Sequence, residues 1–135
     1  MIRSWVDEVE DGAFSLHAVS VQTKDGIQVY VGGGQQPHVG SVAISEPRES
    51  LRKDGSRSCT TSVINRIGHK DAALAVPLAE ALCVATSQVV VVTAGAHVDN
   101  ARPEEIERLL ANLETLQAAI LGHWTGTGGT ADPAD

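Results

Sequence analysis

An almost unbroken β-branched run, Gln88 through Ala94, ends at Gly95 and then delivers His97, Asp99 and Asn100. Val89–Val92 is too short to cross a membrane and too apolar for a half-exposed strand, so it predicts a central strand buried on both faces. The polar residues that follow lie just before a helix opening at Pro103. Sheet ends of this kind are where α/β proteins place ligands. This segment fixes both the middle of the fold and the first place to look for function.

The rest of the chain arranges itself around that strand. Phe14–Gln22 alternates loosely, and Lys24-Asp25-Gly26 turns it into Ile27–Val31, a β-hairpin pattern. Gly32-Gly33-Gly34-Gln35-Gln36-Pro37 interrupts the sheet, and His38–Ser45 resumes it. Pro47–Ser56 reads as a polar loop, and Ser58–Ile64, rich in β-branched residues, as a further strand. A helix opens at Gly68-His69-Lys70-Asp71 and runs to about Thr86, with Leu74, Leu78, Ala81, Leu82 and Ala85 on its apolar face. Pro77, too deep to be a first-turn proline, predicts a kink or a later start. The second helix has proline at its first position and Glu104 and Glu105 at the positive end of its dipole. Its stripe is Ile106, Leu109, Leu110, Leu113, Leu116 and Ile120. The predicted fold is α+β: a single mixed, mainly antiparallel sheet of about five strands covered by two helices. Residues 1–124 form one domain, and 125–135, which carry Gly, Thr, Ala and Asp but no core residue, form a disordered tail. A Rossmann fold is excluded by the order of elements and by the spacing of the glycines.

Composition narrows the functional classes. Phe14, Tyr30, Trp5 and Trp124 are the only aromatic residues, so a base-stacking platform has no material. A net charge of -7 argues against a general nucleic-acid binder. The charge is uneven: Glu46–Lys70 holds six basic and three acidic residues, against four basic and fourteen acidic elsewhere. That pattern suits a local anion site or, equally, a solvated loop. Cys59 and Cys83 match no metal or redox spacing and read as buried free thiols in a reducing compartment. No secretory signal or spanning segment is visible, so a cytoplasmic location, with no membrane partner, is expected.

Three short motifs each place a histidine near a glycine: Pro37-His38-Val39-Gly40, Gly68-His69-Lys70-Asp71 and Gly95-Ala96-His97-Val98-Asp99-Asn100. If they converge, His38, His69, His97 and Asp99 could hold a divalent metal. The alternative is histidines that satisfy loop backbone. At the helix start, backbone N–H groups and the dipole offer an anion site that His69 and Lys70 would reinforce, while Asp71 could instead cap the helix. His97 and Asp99, two apart in an extended chain, would face one pocket while Val98 turns to the core. Asn100 would hold the turn or cap the second helix. No serine triad or nucleophile elbow can be assembled around Ser62 or Cys59.

Taken in order, Gly-Gly-Gly-Gln-Gln-Pro-His-Val-Gly-Ser-Val-Ala, then Gly-His-Lys-Asp before a helix, then Val-Val-Thr-Ala-Gly-Ala-His-Val-Asp-Asn-Ala before a Glu-rich helix, the chain resembles the LpdD-like family of prenylated-flavin chaperones. These proteins are associated with UbiD-type aromatic-acid decarboxylases. The resemblance spans roughly Phe14 to Leu121. It implies a protein that holds reduced prenylated FMN and assists its delivery to, or the maturation of, a UbiD-type decarboxylase, with a flavin prenyltransferase as a second candidate partner. The matching positions are Pro37, His38 and Gly40, then Gly68, His69, Lys70 and Asp71, then Gly95, His97, Asp99 and Asn100. A homo-oligomer is left open. Two other classes compete: a metal-dependent enzyme using the His/Asp cluster, and a non-catalytic subunit of a decarboxylase complex.

Overall fold

The computed structural model describes residues 2–67 and 71–125, Thr125 by its backbone alone. Six strands form one mixed sheet: β1 (Arg3–Val9), β2 (Leu16–Gln22), β3 (Gly26–Gly34), β4 (Ser41–Glu49), β5 (Arg57–Asn65) and β6 (Val89–His97). Helix α1 (Ala72–Thr86) joins β5 to β6, and α2 (Pro103–Thr125) follows β6. The spatial order is β1-β2-β3-β6-β4-β5. Among the described residues only β3 and β6 pair in parallel; the other pairings are antiparallel. The late strand β6 therefore inserts between the hairpin β2–β3 and the pair β4–β5. The Val89–Val92 run sits at the centre of the sheet, as its composition predicts.

Both helices lie on the same face, α1 over β4, β5 and β6 and α2 over β1 and β2. The core is the space between: Leu16, Ala18, Ile27, Val29, Val31, Ala43, Val90, Val92 and Ala94 from the sheet meet Leu74, Leu78, Leu82, Leu109, Leu113, Leu116 and Ile120. Strand alternation sends Val89, Val91 and Thr93 to the opposite face, where they are only half-buried. The expected burial of β6 on both faces is thus corrected. Its two neighbouring strands hide its edges, but among the described residues no element covers its second face.

Several boundaries differ from the sequence reading. Strand β1, an edge strand whose apolar pattern is interrupted by Asp7 and Glu8, turns Trp5 and Val9 onto the core. The three glycines continue β3 rather than interrupting the sheet. His38 precedes β4, whereas Pro47 lies within it, its missing N–H tolerated in the last turn-ward residues of the strand. Helix α1 begins at Ala72 with Pro77 inside it, so there is no later start. Its buried face is Leu74, Ala75, Leu78, Ala79, Leu82 and Cys83, and Ala81 and Ala85 are not part of it. Cys59 is half-buried and Cys83 buried, both as free thiols, and burial pushes the Cys83 thiol up to about 11. The predicted tail, apart from the Thr125 backbone at the end of α2, lies outside the described residues.

Asp11 anchors α2 to the sheet. It accepts from Arg108, and from Asn112 Nδ2 at 2.8 Å, while the Arg108 guanidinium lies 4.6 Å over the Phe14 ring. At the other end of α2, Trp5 stacks on His123 at 5.0 Å and His123 Nε2 meets Asp7 at 2.9 Å. These contacts fix α2 along its whole length, which determines where its first turns stand relative to α1.

Candidate functional site

The start of α1, the end of β6 and the first turns of α2 enclose a partly open cavity of about 450 Å³. One wall is polar: His38, Asp71, His97 and Glu105. The other is aliphatic: Leu74 from α1, Val98 from the loop, and Ile106, Leu109 and Leu110 from α2. A volume of this size, with apolar walls and a few convergent polar groups, is typical of small-molecule sites.

The polar wall is built around Asp71. Its backbone carbonyl accepts from Leu74 N at 2.9 Å and Ala75 N at 3.0 Å, which starts the helix. Its side chain does not cap the helix. One carboxylate oxygen accepts from Ala96 N at 3.0 Å and the other from His38 Nε2 at 2.8 Å. His38 Nδ1 faces the Gln36 carbonyl at 2.9 Å. A carbonyl and a carboxylate can only accept, so both ring nitrogens must donate and the imidazole is held as a cation. The Gln36 carbonyl is the main cause that raises the His38 pKa, with Asp71 adding to it against the lowering effect of burial.

Two glycines permit this arrangement. A Cβ at Gly40 would overlap the Asp71 carboxylate, and one at Gly95 would overlap the His38 carbonyl oxygen. Neither glycine lines the cavity; each lets a site residue approach the backbone. Tyr30 completes the support by donating its hydroxyl to the His38 carbonyl at 3.0 Å.

The third motif behaves differently. His97 Nε2 and Asp99 Oδ1 are 2.9 Å apart, a pairing the sequence did not announce, and of the two only His97 lines the cavity. Val98, however, lines the cavity instead of turning to the core, and Asp99 and Asn100 do not line it. Asn100 takes φ 52°, holding the turn, while α2 is capped by Arg102 and Glu105, whose Oε1 accepts from Arg102 N at 2.9 Å. Gln35 fastens the turn to the glycine strand: its N donates to the His97 carbonyl at 2.7 Å, and its Oε1 accepts from Asp99 N at 2.7 Å.

Of the predicted site residues, His38, Asp71 and His97 come together; Gly68, His69 and Lys70 lie outside the described residues. The metal expectation finds no support. Among the described residues no three His, Cys, Asp or Glu side chains gather as ligands. His38 is committed to Asp71 and His97 to Asp99, two separate pairs. Sequence reasoning missed Glu105 and the cavity wall of Ile106, Leu109 and Leu110, which it assigned wholly to the core. The available signal was the position of Ile106, an apolar residue in the first turn of a helix, and it stays 43% exposed beside the cavity.

The model of the prenylated flavin chaperone LpdD-like domain matches residues 10–124, a span holding the whole cavity. The chain belongs to this LpdD-like family. The described part of the cavity fits a flavin-type ligand in kind, with an aliphatic wall for a ring system and, at the start of α1, a helix end without a side-chain cap for an anion. No Phe, Tyr or Trp side chain of the described residues lines it, so ring contact would fall to Leu74, Ile106, Leu109 and Leu110. No curated protein matches the chain. Among solved structures, the LpdD-like chain is similar in fold to a chain of the "Crystal Structure of a Novel Chaperone Complex for Yeast 20S Proteasome Assembly". The TM-score is 0.60 at 14% identity, covering 89% of this chain and 95% of that one. No helix among the described residues is long and apolar enough to cross a membrane.

Proposed function

We propose that this LpdD-like protein is a holder of reduced prenylated FMN that passes the cofactor to a UbiD-type decarboxylase and performs no turnover itself. The observation that carries this reading is the two-walled cavity at the head of α1. Its aliphatic side suits the ring system, and its polar side suits the ribityl hydroxyls, with the start of α1 as the place for the phosphate. When bound, the cofactor supplies the decarboxylation chemistry of the partner enzyme. This chain's residues bind it, orient it and shield one side of it from water. A partly open cavity suits a carrier, because the ligand must leave intact. The producer of the cofactor, a flavin prenyltransferase, is the corresponding donor partner. His69 and Lys70, which precede Asp71 in the sequence, are the further candidates for holding the phosphate.

Co-expression with a flavin prenyltransferase and anaerobic purification tests the reading. Mass and absorbance of the purified protein should show prenylated FMN, and mixing with an apo-decarboxylase should activate it. Lys70→Ala should weaken binding by about 1–3 kcal/mol, the range of a charge-assisted hydrogen bond. A protein that purifies without the cofactor and does not take it up on titration would refute the proposal.

A further inference from the structure

The sheet face turned away from the helices carries one continuous apolar row across all six strands. Register aligns Val6, Val19, Tyr30, Thr93, Val42 and Ile64 from edge to edge. Val6 is 74% and Ile64 73% exposed, and Val21 and Ile44 widen the stripe in the adjacent row. Exposed apolar surface this extensive and this ordered marks an interaction site. We propose that the occupant is a second copy of this chain, packed sheet against sheet about a two-fold axis parallel to the strands. This goes beyond the cofactor-holding role and does not rest on it.

Three observations select a second copy. The first is self-complementarity. Such an axis lays β1 over the partner copy's β5 and β2 over its β4, so the row meets itself in reverse. Val6 then faces the second copy's Ile64, Val19 its Val42, and Tyr30 its Thr93. The two most exposed residues of the row cover each other. The second is charge. In the neighbouring row Glu8 stands at the β1 edge beside His17, and Arg66 extends the β5 edge, where its N donates to the Gly40 carbonyl. The same axis brings Glu8 of each copy to Arg66 of the other, twice per dimer. The third is area. Six strands of seven to nine residues present a face of roughly 700–850 Å² from strand spacing and rise. A stable interface needs about 800 Å² per partner. Two faces of this shape stack as aligned sheets, with their strand directions within about 30°.

The interface would back directly onto the cavity. Tyr30 lies in the middle of the row, and its hydroxyl holds the carbonyl of His38. One side of a single residue would thus meet the second copy while the other steadies the polar wall.

Sedimentation equilibrium of the full chain provides the test. The wild type should run at twice the chain mass at micromolar concentration. Val19→Lys should run at the chain mass with an unchanged far-UV spectrum. Val6→Lys and Ile64→Glu, at exposed positions that leave the core intact, should each weaken the dimer about tenfold or more, and an equimolar mixture of the two should recover association. A wild type at the chain mass would overturn the proposal, as would Val19→Lys associating like the wild type. Failure of the mixture to recover would overturn the strand-parallel arrangement.

Discussion

Two histidine–aspartate pairs stand at the same end of the sheet with nearly the same separation, 2.8 Å for His38–Asp71 and 2.9 Å for His97–Asp99. Their surroundings are opposite. The side chains of the first pair are 23% and 8% exposed, those of the second 48% and 62%. Asp71 also accepts from the Ala96 backbone, and glycines at 40 and 95 clear the space around the pair. Identical chemistry therefore does two jobs. The inner pair joins β6, α1 and the His38 loop into one unit, while the outer pair lies at the rim, where water screens it and each partner can be lost cheaply.

The largest expected effect comes from breaking the inner pair. Asp71→Ala would leave a cationic imidazole and the Ala96 N–H without their acceptor. It should cost about 3 kcal/mol of stability, measured by denaturant unfolding. Gly40→Ala, which adds no charge but overlaps the same carboxylate, should cost about 1–3 kcal/mol. If both variants unfold like the wild type, the inner pair is not structural and the contrast fails.

A pH series should sharpen the contrast. The His38 pKa is raised in the folded protein from its ordinary 6.5. Its contribution is therefore complete below pH 6.5 and is lost as pH rises through the raised folded value. The stability gap between wild type and His38→Gln should be widest below pH 6.5 and should narrow on the alkaline side. A gap that widens with rising pH would show that the imidazole is not held as a cation.

The smallest effect belongs to the outer pair. His97→Ala and Asp99→Ala should each change stability by less than about 1 kcal/mol. His97→Ala should nevertheless weaken ligand binding, because His97 lines the cavity, whereas Asp99→Ala should weaken it less. Equal losses of stability at the inner and outer pairs would erase the distinction between them.

Much of this architecture can be read from the chain. The apolar run of β6, the hairpin at Lys24-Asp25-Gly26 and the proline-led start of α2 are local patterns, and local patterns survive folding. The inner pair is different, since His38 and Asp71 are 33 residues apart and meet only because β6 inserts beside β4. Nothing in the spacing of Asp71 separates a helix cap from a partner for a distant imidazole. The aliphatic wall is hidden for another reason: Leu109 and Leu110 belong to a regular stripe, and periodicity says which residues face inward but not which face a void. Strand β1 escaped because Asp7 and Glu8 break its apolar alternation, and its pairing with β2 makes it a strand. The glycines announced close approach without saying what approaches.

The cofactor assignment stands or falls on the cavity between α1 and α2, and one steric variant addresses it alone. Ala73 lines that cavity in the first turn of α1, outside the buried core. Anaerobic titration of wild type and Ala73→Phe with reduced prenylated FMN should give saturable binding for the first. For the second, at an unchanged melting temperature, it should give an affinity lower by about tenfold or more, or about 1.4 kcal/mol. Equal affinity in the two proteins would place the cofactor elsewhere and contradict the account.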